Sequence, residues 1–578
     1  MAPSDRLNRR SFLKAAGGAT AAVTLAGCTG DEEQDTTTTE ATEETTEETE
    51  TEAGTTEEQE EDGGDGTLLT YARGSDSSSL DPQATTSGED AKVMNQVYDR
   101  LIHFEPGESS LVAGLAEDYS LEGTTATLQL REGATFHNGD EFTADDFIAT
   151  YDRFLDEDYE YFVGTENQSI YGDYLLGVVE SVEKDGDYTL TMELGEEYAP
   201  FLANLAVFAL AVLPQSEIES ETEFSDNPVG TGPFAFEDWN TSDQQIRLSA
   251  NDDYWGETPN VDEVVFTAIS ENTSRAQTLL SGGADIIDGI GAQSAQVIDG
   301  DDSASLEKVP GLNIGYMAFN MARVEAFRDK QVRQAISHAI DTQAIVENIY
   351  RGQATQASQP LPPGVLGRDD DIDPYEYDTE KAQSLLEEAG YGDGFEFELA
   401  TMTNPRPYFA SPVQTAQTVK SNLSEIGIEM SIDQQSSWDS YLTYIDEGKH
   451  DACFIGWISD NGDPDNFFSP LLHPSISTDE VPDDQDWAAA DVSDDYNTGN
   501  YARWANTEFM DAVDEGKTTY EEGTREELYL EASQIAHEEA PWVFITHTEE
   551  LRGVNNRIQN FTIAPISGPY LNLVSIDE

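Results

Sequence analysis

Between residues 395 and 468 the hydrophobic pattern changes period repeatedly, and this constrains the chain more than any other feature. Phe395, Phe397 and Leu399 alternate with Glu396 and Glu398, the period-two pattern of a strand ending near Met402. Ala416, Val419, Leu423 and Ile426 follow at helical spacing, and Gly427 stops them. Ile428, Met430 and Ile432 alternate again, and a helix over 438–447 leads to the unbroken apolar run 452–458. Such a run reads as a buried strand. This strand–helix–strand–helix–strand order favours a parallel sheet with right-handed crossovers. The expectation is an α/β protein.

Ligands of such sheets sit beyond the carboxyl ends of the strands. Two charged groups fall there: Arg406 in Asn404-Pro405-Arg406-Pro407-Tyr408, and Asp460 in the loop after the buried run. That loop turns sharply, because Asn461-Gly462 and Asp463-Pro464 are turn dipeptides. One cation and one anion at a shared sheet edge suit a zwitterion with separated ends. Read as plain loop charges, they could instead pair with each other.

At 578 residues the chain is too long for one hydrophobic core, so several domains are expected. Asp and Glu number 116 against 28 Lys and Arg, a net charge of −88, which argues against a nucleic-acid partner. A surface that repels itself this strongly is tolerable where concentrated salt screens it. The expectation is an extreme halophile, archaeal in type. Of the two cysteines, Cys28 lies near the N-terminus and Cys453 within the apolar run, so no structural disulfide is expected and Cys453 reads as a small core residue.

Asn8-Arg9-Arg10-Ser11-Phe12-Leu13-Lys14 precedes a small-residue apolar run over 15–26. Twin arginines before a short apolar stretch mark export of a folded protein. At about a dozen residues the run is too short for a membrane span, which needs roughly 20. Leu25-Ala26-Gly27-Cys28 resembles a lipobox, with Cys28 as the lipidated residue. Residues 29–66 are almost entirely Thr, Glu, Asp and Gly and read as a disordered acidic tether. Residues 1–28 are thus a twin-arginine lipoprotein signal, and the folded part works at the outer face of the cell membrane.

The folded part opens with a strand over 67–72 and a helix through Val93, Val97 and Leu101. Strands are expected over 126–130, 188–194 and 311–320, and a helix over 144–155. Val332, Ala335, Ile336, Ala339 and Ile340 form the core face of another helix, on which His338 reads as a structural histidine. Tyr377-Asp378-Thr379 caps a helix running to Ala389, stopped by Gly390. Gly289-Ile290-Gly291 lacks the third glycine of a nucleotide fingerprint (Ser294 stands there) and reads as a loop. From 540 onward the chain is β-rich.

No HExxH, CxxC, GxSxG or Walker-type motif occurs, and the seven histidines are dispersed. The acidic string 369–373 lacks the glycine and distal glutamate of an EF-hand loop, and 460–465 places Gly462 and Pro464 at ligand positions. No metal, cofactor or enzymatic activity is expected.

Several long motifs stand in order along the chain. They are Leu130-Arg131-Glu132-Gly133-Ala134-Thr135-Phe136-His137-Asn138-Gly139, the turn-rich stretch 227–234, and Asp253-Tyr254-Trp255-Gly256. Further on come Val332-Arg333-Gln334-Ala335-Ile336-Ser337-His338-Ala339-Ile340-Asp341 and Tyr377-Asp378-Thr379-Glu380-Lys381-Ala382. The most telling is Asp460-Asn461-Gly462-Asp463-Pro464-Asp465-Asn466-Phe467. Over about 67–578 the chain resembles the extracellular solute-binding proteins of peptide/nickel-type ABC importers, most closely their dipeptide-binding members.

The resemblance implies a two-lobed, type II periplasmic-binding-protein-like fold with an extra domain in the first lobe. Domain I would comprise 67–104, 227–316 and 547–578, domain II 105–226, and domain III 317–546. It also implies that Asp460 holds a ligand ammonium and Arg406 its carboxylate. Tyr408, Trp457, Phe467 and Phe468 read equally as lining for side-chain pockets and as ordinary core. Extended residues span about 3.5 Å each, so anchoring both termini limits the ligand to about two residues. The partners implied are a short peptide, the permease and ATPase of an importer, and the membrane through the lipid; the protein is expected to be a monomer. Dipeptide binders of ordinary bacteria carry disulfides that this chain lacks. An oligopeptide or nickel-complex binder of the same class, a peptide sensor without import, and a surface hydrolase are the alternatives.

Overall fold

The computed structural model describes residues 67–493 and 496–577. The twin-arginine segment, Cys28 and the acidic stretch 29–66 lie outside the described residues.

The alternating segment forms the expected parallel unit. Strands Glu396–Met402, Glu429–Gln435 and Ala452–Ile458 are separated by helices Pro412–Ser424 and Trp438–Asp446. Glu396–Met402 is central, parallel to Glu429–Gln435 on one side and to Ala452–Ile458 on the other. Ala452–Ile458 then pairs antiparallel with Asn313–Phe319, every residue of which is buried. With a neighbour on each edge and cover on both faces, these two strands can be apolar throughout.

One long strand, Trp542–Asn555, joins the two halves of the molecule. Its first residues pair with Asn313–Phe319, and residues 549–555 pair with Ala304–Pro310. Ile286–Ile287 lies beside its far end and passes the sheet on to Leu68–Arg73, Glu263–Ala268, Gln245–Ala250 and Phe234–Asn240. A separate four-stranded antiparallel sheet is built from Ala116–Glu122, Thr125–Leu130, Thr189–Leu194 and Val179–Lys184. Helix Ala144–Leu155 contributes Phe147 and Phe154 to the same core as Leu128 and Leu190 of that sheet. The architecture is a two-lobed α/β fold.

Several local expectations need correction. The helix expected through Leu101 is Gly88–Val97 and stops four residues earlier. Tyr98 is extended, and Asp99 is drawn into a buried cluster where Thr231, Trp255 and Tyr254 donate to its carboxylate at 2.9, 2.7 and 3.1 Å. Ile340 lies past the end of helix Lys330–Ala339, at an extended cap, though it remains fully buried. Gly289-Ile290-Gly291 is a loop as expected, and it follows the short strand Ile286–Ile287. His338 is tied by Nδ1 to the Glu376 carbonyl at 2.7 Å and meets the Tyr375 ring, in keeping with a structural role. Asp378 caps helix Thr379–Glu388 by accepting from the Lys381 amide at 2.9 Å. Cys453 is fully buried, and burial pushes its thiol pKa up, which suits an inert core residue.

Candidate functional site

The loop after Ala452–Ile458 is held by its own side chains. The Gly462 amide donates to Ser459 Oγ, the Asp463 amide to Asn461 Oδ1 and the Asp465 amide to Asp463 Oδ1, all between 2.9 and 3.0 Å. These are the local turns that Ser, Asn and Asp side chains make with the backbone. Gly462, at φ +71°, supplies the left-handed residue, and Pro464 starts helix Asp465–Leu471. Asn466 ties the loop to the strand, its Oδ1 accepting from Trp457 Nε1 at 2.9 Å and from the Asp460 amide at 3.2 Å.

Asp460 therefore stands in a fixed position at the sheet edge. Its Oδ1 accepts from the Tyr171 hydroxyl at 2.8 Å, while its Oδ2 is sealed from solvent and has no hydrogen-bond partner among the described residues. Burial pushes the carboxyl up to about 7, and the Tyr171 bond opposes that shift. A carboxylate with one oxygen satisfied and one bare is prepared to receive a cationic donor.

Arg406 lies at the same edge, in the loop after Glu396–Met402. The backbones of Arg406 and Phe409 bond each other in both directions at 2.9 Å, closing a tight turn over Pro407 and Tyr408. The guanidinium carbon stands 3.6 Å from the centre of the Trp438 ring, the first residue of the helix after Glu429–Gln435. Such stacking holds the planar group without neutralising it. Arg406 makes no ion pair among the described residues, so the alternative in which it pairs with Asp460 is overturned. Its Nε is buried without a hydrogen bond, and burial lowers its pKa.

Tyr408 is buried beneath this turn, against two glycines that face each other across neighbouring strands, Gly315 and Gly456. Its carbonyl accepts from Thr546 Oγ1 at 3.3 Å. A Cβ on Gly456 would lie 2.3 Å from the Ile314 carbonyl oxygen and 2.3 Å from the Tyr408 ring. Gly456→Ala is expected to cost about 1–3 kcal/mol of stability by overpacking and to displace the Arg406 turn. Urea unfolding and ligand titration of the variant check this; an unchanged midpoint would contradict it.

The other expected site residues fall as follows. Trp457 is buried and positions Asn466. Phe467 and Phe468 are fully buried, Phe468 stacking on Tyr529. The sequence reading missed Tyr171, Tyr174, Tyr198 and Asn204, which reach the 460–466 loop from the 105–226 region, and it missed the role of Trp438. Only Trp438 carried a signal, as an aromatic opening a helix at the expected edge. Ile458 and Tyr174 are 42% and 37% exposed beside the loop. Among the described residues no cluster of three or more His, Cys, Asp or Glu could hold a metal, and no helix is long and apolar enough to cross a membrane.

A two-lobed α/β fold built on one large mixed sheet is that of the type II periplasmic binding proteins. Comparison with known proteins gives the family. Residues 110–479 match the model for bacterial extracellular solute-binding proteins, family 5 middle, and the chain belongs to that family, whose members are substrate-binding components of ABC transporters and not enzymes. Residues 6–26 match the twin-arginine translocation signal, which supports export by that route. The dipeptide-binding protein of Escherichia coli is 30% identical, covering 88% of this chain and 94% of its own length. Heme-binding protein A of Haemophilus influenzae is 32% identical, covering 83% of this chain and 87% of its own. The crystal structure of a dipeptide-binding protein from Pseudoalteromonas in complex with Met-Leu superposes with a TM-score of 0.70 at 28% identity, covering 88% of this chain and all of the other.

Proposed function

We propose that this protein captures dipeptides or other short peptides by their charged ends and delivers them to an ABC importer permease. Asp460 holds the ammonium and Arg406 the carboxylate. The observation that carries this reading is the pair of incomplete charges at one sheet edge: a carboxylate with one bare buried oxygen, and a guanidinium with no ion pair among the described residues. Both ends are common to every peptide, and closing them away from water strengthens each ion pair. Ligand side chains lie along the exposed faces of Ile458 and Tyr174 in this reading. The domain division 67–104 with 227–316 and 547–578, 105–226, and 317–546 is proposed with it, supported by the change of partner along Trp542–Asn555 between residues 546 and 549.

Calorimetry with a free dipeptide, its N-acetyl form and its C-terminal amide tests the reading. The free dipeptide should bind at least about tenfold more tightly than either blocked form, since each loses a charge-assisted contact. Equal affinities would overturn it, and preferential binding of haem or a nickel–histidine complex would favour those ligands instead. The pH dependence has a definite sign. Only ionised Asp460 pairs with an ammonium, so affinity for the free dipeptide should fall as pH drops below about 7. It should fall again above about 8, where the peptide α-amino group itself loses its proton. The N-acetyl ligand should lack both limbs.

The same proposal places the protein on the outer surface through a lipid on Cys28, in a halophilic cell. Cys28→Ser is expected to release it into the medium, and replacing Arg9 and Arg10 by lysine to leave precursor inside. Fractionation showing both variants anchored at the surface would contradict this.

A further inference from the structure

Four side-chain hydrogen bonds clasp the 460–466 loop to the 105–226 region. Tyr171 Oη donates to Asp460 Oδ1 at 2.8 Å, and Asn461 Nδ2 to Asn204 Oδ1 at 2.8 Å. Tyr198 Oη donates to Asp465 Oδ2 at 3.3 Å, and Asn466 Nδ2 to Tyr174 Oη at 2.7 Å. Only the first touches the Asp460 carboxylate. Tyr171 is itself held firmly: it is 4% exposed, and its ring packs edge-on against Phe208 with centres 5.5 Å apart.

We propose that Tyr171 is a positioning residue for ligand recognition: its hydroxyl occupies Asp460 Oδ1 and thereby orients Oδ2 toward the ligand ammonium. The inference rests on the reading of Asp460 as the ammonium anchor. A carboxylate can turn about its Cβ–Cγ bond, and a buried phenol bonded to one of its two equivalent oxygens fixes that angle before the ligand arrives, leaving the other oxygen in a set direction. Preorganisation of this kind raises affinity by lowering the ordering cost of binding. The same bond donates to the charged form of the carboxylate and favours it against desolvation. The region 105–226 thereby becomes part of the recognition machinery.

The titratable group bonded to the Asp460 side chain is Tyr171. Tyr174, one turn on, reaches the loop through Asn466. Within the loop, Asp463 is paired to Arg525, and Asp465 is bonded to Tyr198 and Ser469. Tyr198→Phe therefore makes a suitable control: it removes one clasp bond of the same kind and leaves the Asp460 partner in place.

The experiment is calorimetry on the full chain and on Tyr171→Phe, Tyr198→Phe and Asp460→Asn. Each is titrated with alanyl-alanine and N-acetyl-alanyl-alanine from pH 6 to 8.5. Tyr171→Phe should weaken the free dipeptide about tenfold at pH 7, the worth of a hydrogen bond to a charged group. It should leave the N-acetyl form within about twofold and move the acid limb of the affinity profile to higher pH, since that limb reports the Asp460 carboxyl. Tyr198→Phe should weaken both ligands equally. Equal losses for both ligands in Tyr171→Phe, or an unmoved acid limb, would reduce Tyr171 to a structural contact and overturn the proposal alone, provided Asp460→Asn separates the ligands. If Asp460→Asn fails to separate them, the anchor assignment falls and the proposal with it.

Discussion

Asp460→Asn is expected to weaken a free-amine dipeptide by roughly 30- to several-thousand-fold, from about 2–5 kcal/mol for removing one partner of a buried charge pair. Asparagine keeps an acceptor for the Tyr171 hydroxyl and the volume of the side chain, so the loop should stay folded. What it removes is the negative charge, and the ligand ammonium is then buried without a counter-charge. The N-acetyl ligand has no such charge and should lose little. Arg406→Ala is expected to give the mirror result, penalising free carboxylates more than C-terminal amides. In the empty protein the sign for Asp460 reverses. Its carboxyl pKa is raised to about 7 by burial, so ionising it works against the fold. As pH rises from the ordinary carboxylate value of about 4 to about 7, the unliganded protein should lose stability that Asp460→Asn retains. Calorimetry with the blocked ligands and melting curves across pH check both halves. Equal losses for charged and blocked ligands would mean that these residues support the cleft without reading the termini.

Arg525→Met should lower stability by about 3–5 kcal/mol, the usual cost of breaking a buried ion pair from one side. Arg525 Nη2 donates to both oxygens of Asp463 at 2.9 Å, with the two side chains 11% and 9% exposed. Its Nε donates to the Gly516 carbonyl at 3.0 Å, anchoring the loop to the end of helix Thr507–Thr518. Asp465 lies close behind, its pKa raised by burial and by Asp463. Without the guanidinium, two neighbouring carboxylates would share a buried space with reduced compensation, and the turn bearing Asp460 should loosen. The double variant Arg525→Met with Asp463→Asn should recover most of the loss, because neither partner is then left charged and alone. Chemical unfolding of the two single variants and the double variant in concentrated salt measures the coupling. A double variant as unstable as the sum of the single ones would show that the ion pair is not the cause.

How far the sequence could be read depended on distance along the chain. The strands Glu396–Met402 and Ala452–Ile458, their parallel pairing, and the placement of Arg406 and Asp460 at one edge all follow from local periodicity and from where each run stops. The sequence could not show what Asp460 touches. Its partner Tyr171 is 289 positions away, and a tyrosine on a short helix has no periodic signature that points to a particular aspartate. The helix ends at Val97 and not at Leu101 for a similar reason: three side chains from 231–255 capture Asp99, and tertiary bonds override the helical pattern.

The sequence by itself determined the α/β class, the export signal, and the pair of charges at a strand edge. Hydrophobic spacing, turn residues and charge are written within a few dozen residues of one another. Only the tertiary structure decided that the two charges remain apart, that Trp438 carries the guanidinium and that Tyr171 takes one oxygen of Asp460. It also decided that Phe467 lies wholly in the core. Each of these depends on which surfaces meet when distant segments close together, and hydrogen bonds and ring contacts act over only a few ångströms, whatever the separation along the chain.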